Sequence, residues 1–118
     1  MLLVKIASVS LLLDFIFLSF MKYYFNSMIQ KIQGSPLKLN IFATAVVYFI
    51  IIFKIYYFIF LQNSSLLYAF LLGSTTYGIF EFTNMAIFKG WTYTSAIIDT
   101  LWGGILYFLT TYIVRHMI

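Results

Sequence analysis

Asp14, Glu81 and Asp99 are the three acidic residues of this 118-residue chain, and each falls inside a long apolar stretch rather than in a loop. A charged group at the centre of a membrane helix costs at least about 2.5 kcal/mol. Acids kept only where they are expensive are expected to face a protein interior, paired, protonated or wet. Such groups can bind a proton or a small cation, and two of them close together in low dielectric resist ionising at once. Other chemistries have less to work with. The absence of cysteine excludes a thiolate nucleophile, a disulfide framework and Cys-ligated metal, and a single histidine near the end speaks against a His-based metal or haem site. No nucleophile–base pair or metal-ligand spacing stands out, so no catalytic residue, metal or cofactor is expected and the chain is not read as an enzyme. A lipid-directed enzyme holding a divalent ion on carboxylates ranks last among the functions considered.

The elements that carry these acids follow from composition. Hydrophobic residues make up 64% of the chain and charged residues 8%, against roughly 25% charged in soluble domains. A soluble domain this short could not hide so much apolar surface, whereas lipid accepts it. About 20 apolar residues cross the hydrocarbon as a helix, and four such runs are present, at 2–25, 39–61, 66–88 and 93–114. They are too long, and too weakly alternating, for barrel strands. The expected fold is all-α: one integral membrane domain, a four-helix bundle running antiparallel, up-down-up-down. The first connection, 26–38, contains the only proline and is the one loop of any size. Asn63-Ser64-Ser65 and Lys89-Gly90-Trp91 are tight turns, so the first of these is read as a turn and not as a glycosylation site. The first run resembles a signal peptide, yet it continues to span length without a small-residue cleavage site and is expected to stay attached.

Four crossings put both termini on one side. Lys22, Lys31, Lys38 and Lys89 fall at the first and third loops, against Lys5 and Arg115 opposite, which places those loops inside and the termini outside by the positive-inside rule. The net charge of +4 reflects lysines at helix ends meeting anionic headgroups, and nothing suggests nucleic-acid binding. Trp91, Tyr93 and Tyr23 are expected in the interfacial aromatic belt, and His116 in a solvated tail.

Depth then groups the acids. Glu81 precedes the end of the third helix by about seven residues and Asp99 follows the start of the fourth by as many, so both lie roughly 10 Å below the same surface and should be neighbours. Asp14 lies nearer the midplane. Lys54 is expected to snorkel toward the far interface rather than pair with Asp14. Ser74, Tyr77, Gly78, Glu81 and Asn84 share one helical stripe, and Ser95, Asp99, Trp102 and Gly103 another. Small residues at Ser74/Gly78 and Thr100/Gly104 have the spacing that lets membrane helices approach closely.

The same residues carry a family resemblance. Tyr77-Gly78-Ile79-Phe80-Glu81-Phe82-Thr83-Asn84-Met85-Ala86, followed by Trp91 and then Asp99-Thr100-Leu101-Trp102-Gly103, resembles the hallmark of a family of predicted four-helix membrane proteins of unknown function, catalogued as domain of unknown function 2177. Asp14, Tyr23-Tyr24 and the stretch from Ala45 to Tyr48 also fit, so the resemblance spans essentially the whole chain. It implies that Glu81, Asn84, Asp99 and Trp102 form a signature site, but no activity, substrate or cofactor. Members commonly show Asp where this chain has Glu81, which moves the carboxyl outward by one methylene.

Two functions are expected to compete. In the first, Glu81 and Asp99, with Asn84, Asp14, Tyr77, Thr83 and Trp102, bind a proton or small cation for transport. In the second, the protein is a scaffold or accessory subunit, and the polar cluster only fixes helix packing. Expected partners are the lipid bilayer and either further copies of the chain or other membrane proteins.

Overall fold

The computed structural model describes residues 1–117. It consists of four helices: α1 (Leu2–Gln33), α2 (Ile41–Lys54) continued by a six-residue π-helical segment (Ile55–Phe60), α3 (Leu66–Ile87) and α4 (Tyr93–Arg115). They form the expected antiparallel bundle, about 46 Å long and 24 by 22 Å across. Tyr24 of α1 bonds Thr92 just before the start of α4, at 2.6 Å. At the opposite end Arg115 donates to the Ser64 carbonyl between the π segment and α3, at 2.5 Å.

Three helices begin on polar caps, which supply acceptors to N–H groups that have no partner within the helix. Asn40 accepts from Ala43 N at 3.0 Å, Ser65 from Tyr68 N at 3.0 Å, and Thr92 from Ser95 N at 3.1 Å. α1, α2 with its π segment, and α4 are each long and apolar enough to cross a membrane. α3 is not among these, because Ser74, Thr75, Thr76, Thr83 and Asn84 dilute its hydropathy.

Two elements depart from expectation. α1 runs to Gln33, eight residues past the expected end at Phe25. Asn26 does not break it; its side chain accepts from Leu37 N at 2.8 Å and pins the returning strand of loop to the helix. The helix stops instead at Gly34, whose φ of 76° is the left-handed cap that glycine adopts without a Cβ penalty. The second departure is the π segment, where Leu61 N bonds Tyr56 O and Ser64 N bonds Ile59 O, both five residues back. Hydropathy carries no trace of it, since a π turn and an α turn bury the same residue types.

The two ends of the bundle are packed differently. At the end holding both termini, Ile6, Ile55, Ile59, Ala69, Leu106, Tyr107 and Val114 form a dry core contributed by every helix. Here α3 and α4 run closest, with Gly73 and Gly103 backbone to backbone: a Cβ on Gly73 would lie 2.1 Å from the Gly103 carbonyl oxygen. The close approach is offset by one residue from the expected stripe on α3. Gly78 does face Thr100, but at an ordinary 3.5 Å, and Gly104 lies under the Phe70 ring. At the other end α2 leans away: among the described residues, no Cα of α2 comes within 8 Å of α3 or α4.

Candidate functional site

All three acids lie in the open half of the bundle, and all three line one cavity of about 350 Å³. Asp14, on α1 and 5% exposed, is held from two sides. Trp102 on α4 donates its indole N–H to Oδ1 at 2.9 Å, and Tyr48 on α2 donates its hydroxyl to Oδ2. The Trp102 ring is fixed in turn by stacking on Phe17, with centroids 4.5 Å apart and planes 2° from parallel. One carboxyl thereby joins three helices.

Glu81, on α3 and 2% exposed, accepts from two neutral donors on one oxygen. Trp91 Nε1 reaches Oε1 at 2.8 Å, and Ser95 Oγ reaches the same atom at 3.0 Å. The aromatic of the third loop is thus not a free member of the interfacial belt, as its type and position suggested; it turns inward because a buried carboxyl needs donors. Tyr23 and Tyr93 do stand out from the protein, 87% and 71% exposed.

Asp99, on α4 and 9% exposed, stands within hydrogen-bonding reach of Glu81, as their matched depths predict. The local donors are already taken: Tyr48 and Trp102 serve Asp14, Trp91 and Ser95 serve Glu81. Asp99 is left with Glu81 as its hydrogen-bonding neighbour. It also lines a second cavity of about 340 Å³, adjoining the first and walled by Val47, Ile50, Ile51, Thr76, Tyr77 and Phe80. Residues of both α2 and α3 line each cavity.

The remaining expected site residues separate into two groups. Tyr77 lines both cavities. Thr83 is turned outward and Asn84 is half-buried, neither of them lining either cavity or bonding an acid; Asn84 contributes its carbonyl to the end of α3 through Phe88 N at 2.7 Å. Lys54 neither pairs with Asp14 nor extends freely to the interface, because its ammonium donates to Thr76 on α3 and ties the foot of α2 to its neighbour. The Thr76 hydroxyl donates in turn to the Leu72 carbonyl at 2.6 Å. Two residues matter that sequence reasoning did not assign a role, Tyr48 and Thr76. Depth would have found Tyr48, which lies two turns into α2 and so near the level of Asp14. His116 sits at the exposed end of α4 with its ring against the Tyr112 carbonyl, at 2.7 Å.

Since Trp91 and Ser95 share one acceptor, each can cover for the other. Trp91→Phe and Ser95→Ala are each expected to cost about 1 kcal/mol, and the double variant more than the sum, because only then is a buried carboxyl left without a donor. Thermal unfolding of the two singles and the double in lipid nanodiscs measures this, and strict additivity would argue against the shared role.

Chemically the site offers carboxyl oxygens in three different states of satisfaction, at the floor of a mostly apolar recess. Among the described residues no group of three or more His, Cys, Asp or Glu is arranged to hold a metal ion. A family model described as a predicted membrane protein, domain of unknown function 2177, matches residues 1–115. No curated protein and no solved structure matches the chain.

Proposed function

The chain belongs to the domain of unknown function 2177 family of predicted membrane proteins, and from that premise we propose that it binds and passes a proton or small monovalent cation at the Glu81–Asp99 pair. The observation that carries this reading is the facing of the two carboxyls at the floor of a cavity that Asp14 also lines. Two acids at such range cannot both hold full charge without a cation or a shared proton between them. Tyr77, on the cavity wall, offers a hydroxyl to a cation or a proton in transit. With Lys22, Lys31, Lys38 and Lys89 on the inner side, the acid end of the bundle faces the cytoplasmic leaflet and both termini lie outside. Association with further copies would enlarge the small interior that four helices provide.

A second reading has its own support. The carboxyl oxygens of Asp14 are both occupied by interhelical bonds, which is what a purely architectural acid would look like in a scaffold or accessory subunit. Proteoliposome flux separates the two. The native chain should carry proton, sodium or potassium flux that the folded variant Glu81→Gln/Asp99→Asn abolishes. Absence of flux in both, with the variant markedly less stable, would leave the scaffold reading standing.

A further inference from the structure

We propose that Lys54 is the tethered counter-ion of the Glu81–Asp99 pair: its ammonium rests on Thr76, at the edge of the cavity that Asp99 lines, and competes with an incoming monovalent cation for the two carboxyls. This rests on reading the pair as a cation site, and names what regulates it.

Lys54 does not point where a purely interfacial lysine would. It is the last residue of α2, six residues before the end of the π segment on the side of the termini. A snorkelling side chain extends to that nearer surface. This ammonium donates instead to Thr76, ten residues into α3 from the same side and so about 15 Å deep. Helix geometry favours the inward course, because each Cα–Cβ bond tilts toward the helix N-terminus, which for α2 is the acid end. The positive charge is thereby held near the middle of the bundle.

Thr76 satisfies little of that charge. An ammonium has three N–H donors, and among the described residues this one meets a single neutral oxygen, whose own hydrogen goes to the Leu72 carbonyl. Thr76 and Asp99 line the same cavity of about 340 Å³, with Ile50 and Ile51 on its wall one helical turn from Lys54. The other cations are placed elsewhere. Lys22, Lys31, Lys38 and Lys89 are exposed at the acid end, Lys5 lies in the first turn of α1, and Arg115 is engaged on the Ser64 carbonyl at the opposite end. Two carboxyls in one low-dielectric site call for one positive charge. When no cation is bound, the Lys54 ammonium crosses to Asp99, whose hydrogen-bonding neighbour is another acid, Glu81. A cation that enters displaces it, and the ammonium returns to Thr76, the arrangement seen here.

The test measures flux in proteoliposomes against the concentration of sodium, potassium or proton, whichever the native chain carries, in native protein and in Lys54→Met, Lys54→Arg and Thr76→Val. Lys54→Met removes the competitor and keeps its apolar length. Half-saturation is expected at a concentration roughly tenfold or more lower, the effect of one unit charge across a cavity of this size. Thr76→Val takes away the resting place, leaves the ammonium to Asp99, and should raise half-saturation roughly severalfold. Lys54→Arg should stay near native. A merely structural tie would move Lys54→Met and Thr76→Val in the same direction, since each breaks the same bond between α2 and α3. A shift of one sign in both, or unchanged half-saturation in Lys54→Met, overturns the proposal. If Lys54→Met does not fold, Lys54→Gln keeps a donor for Thr76 without the charge and reads the same shift. Flux that Glu81→Gln/Asp99→Asn removes but that is indifferent to Lys54 sinks this inference and leaves the cation reading intact. No flux in the native chain sinks that reading, and this inference with it.

Discussion

Gly73→Val should destabilise the protein more than any other single substitution considered, by about 3 kcal/mol or more. A Cβ there would meet the Gly103 carbonyl oxygen at 2.1 Å and the Tyr107 ring at 2.7 Å. Neither is the far end of a flexible side chain. The oxygen belongs to a helix backbone, and Tyr107 is fully buried in the dry core. Relief requires α3 and α4 to move apart, which breaks contacts along the most extensive helix pair in the bundle. Gly78→Ala is the control. Its Cβ would find only the Thr100 side chain, at 3.5 Å, and alanine is the better helix former by about 1 kcal/mol, so this variant should be neutral or slightly more stable. Thermal or denaturant unfolding in the same detergent compares them. Similar midpoints for Gly73→Val and Gly78→Ala would refute the close approach.

The second large effect is expected at Asp14. Asp14→Leu removes the acceptor for both the Tyr48 hydroxyl and the Trp102 indole. Interhelical bonds in membranes average about 0.6 kcal/mol and reach about 1.7, while a stranded buried donor costs about 1–3. Losing two at once should cost about 2–3 kcal/mol. Asp14→Asn should cost well under half of that, because the amide keeps one acceptor for Trp102 and Tyr48 can turn its oxygen to accept. A double-mutant cycle of Asp14→Leu with Tyr48→Phe and with Trp102→Phe apportions the loss. Trp102 also supplies a local signal, since an indole released from both its bond and its stack on Phe17 should shift its emission. If Asp14→Leu unfolds with the native midpoint, the three-helix junction at this carboxyl is not what holds α2 to the bundle.

The two substitutions probe features of unequal legibility in the sequence. Span length and the burial of acids follow from transfer energies, which act residue by residue and so can be read without coordinates. Hence four helices, their antiparallel order, and the pairing of Glu81 with Asp99 at one depth were all open to inference. Azimuth is harder. A helical stripe shows that Ser95, Asp99 and Trp102 share a face, but not which neighbour each will meet, and they diverge: Ser95 and Asp99 to Glu81, Trp102 to Asp14. Likewise, small-residue spacing pointed to an α3–α4 seam, yet the contact falls on Gly73 rather than Ser74, because helix rotation is set by the whole interface. The end of α1 differs from the expected one for another reason. Asn26-Ser27 is a plausible stop only when the side chains have no better use, and Asn26 has one in Leu37. The π segment left no mark at all.

The modest hydropathy of α3 bears on how the protein enters the membrane during synthesis. Alone, this helix would present Thr76, Glu81 and Asn84 to hydrocarbon before any partner existed to cover them. α4 follows after a turn of five residues, from Phe88 to Thr92, and it supplies the Ser95 hydroxyl for Glu81 and the glycine against which Gly73 seats. The two are therefore best transferred into lipid as one hairpin, with the carboxyl–serine bond and the glycine seam already made. In that order of events the Gly73–Gly103 contact is a condition for partitioning and not only for final stability. A substitution there would be felt first as protein that fails to leave the translocation machinery, before its thermal midpoint could be measured.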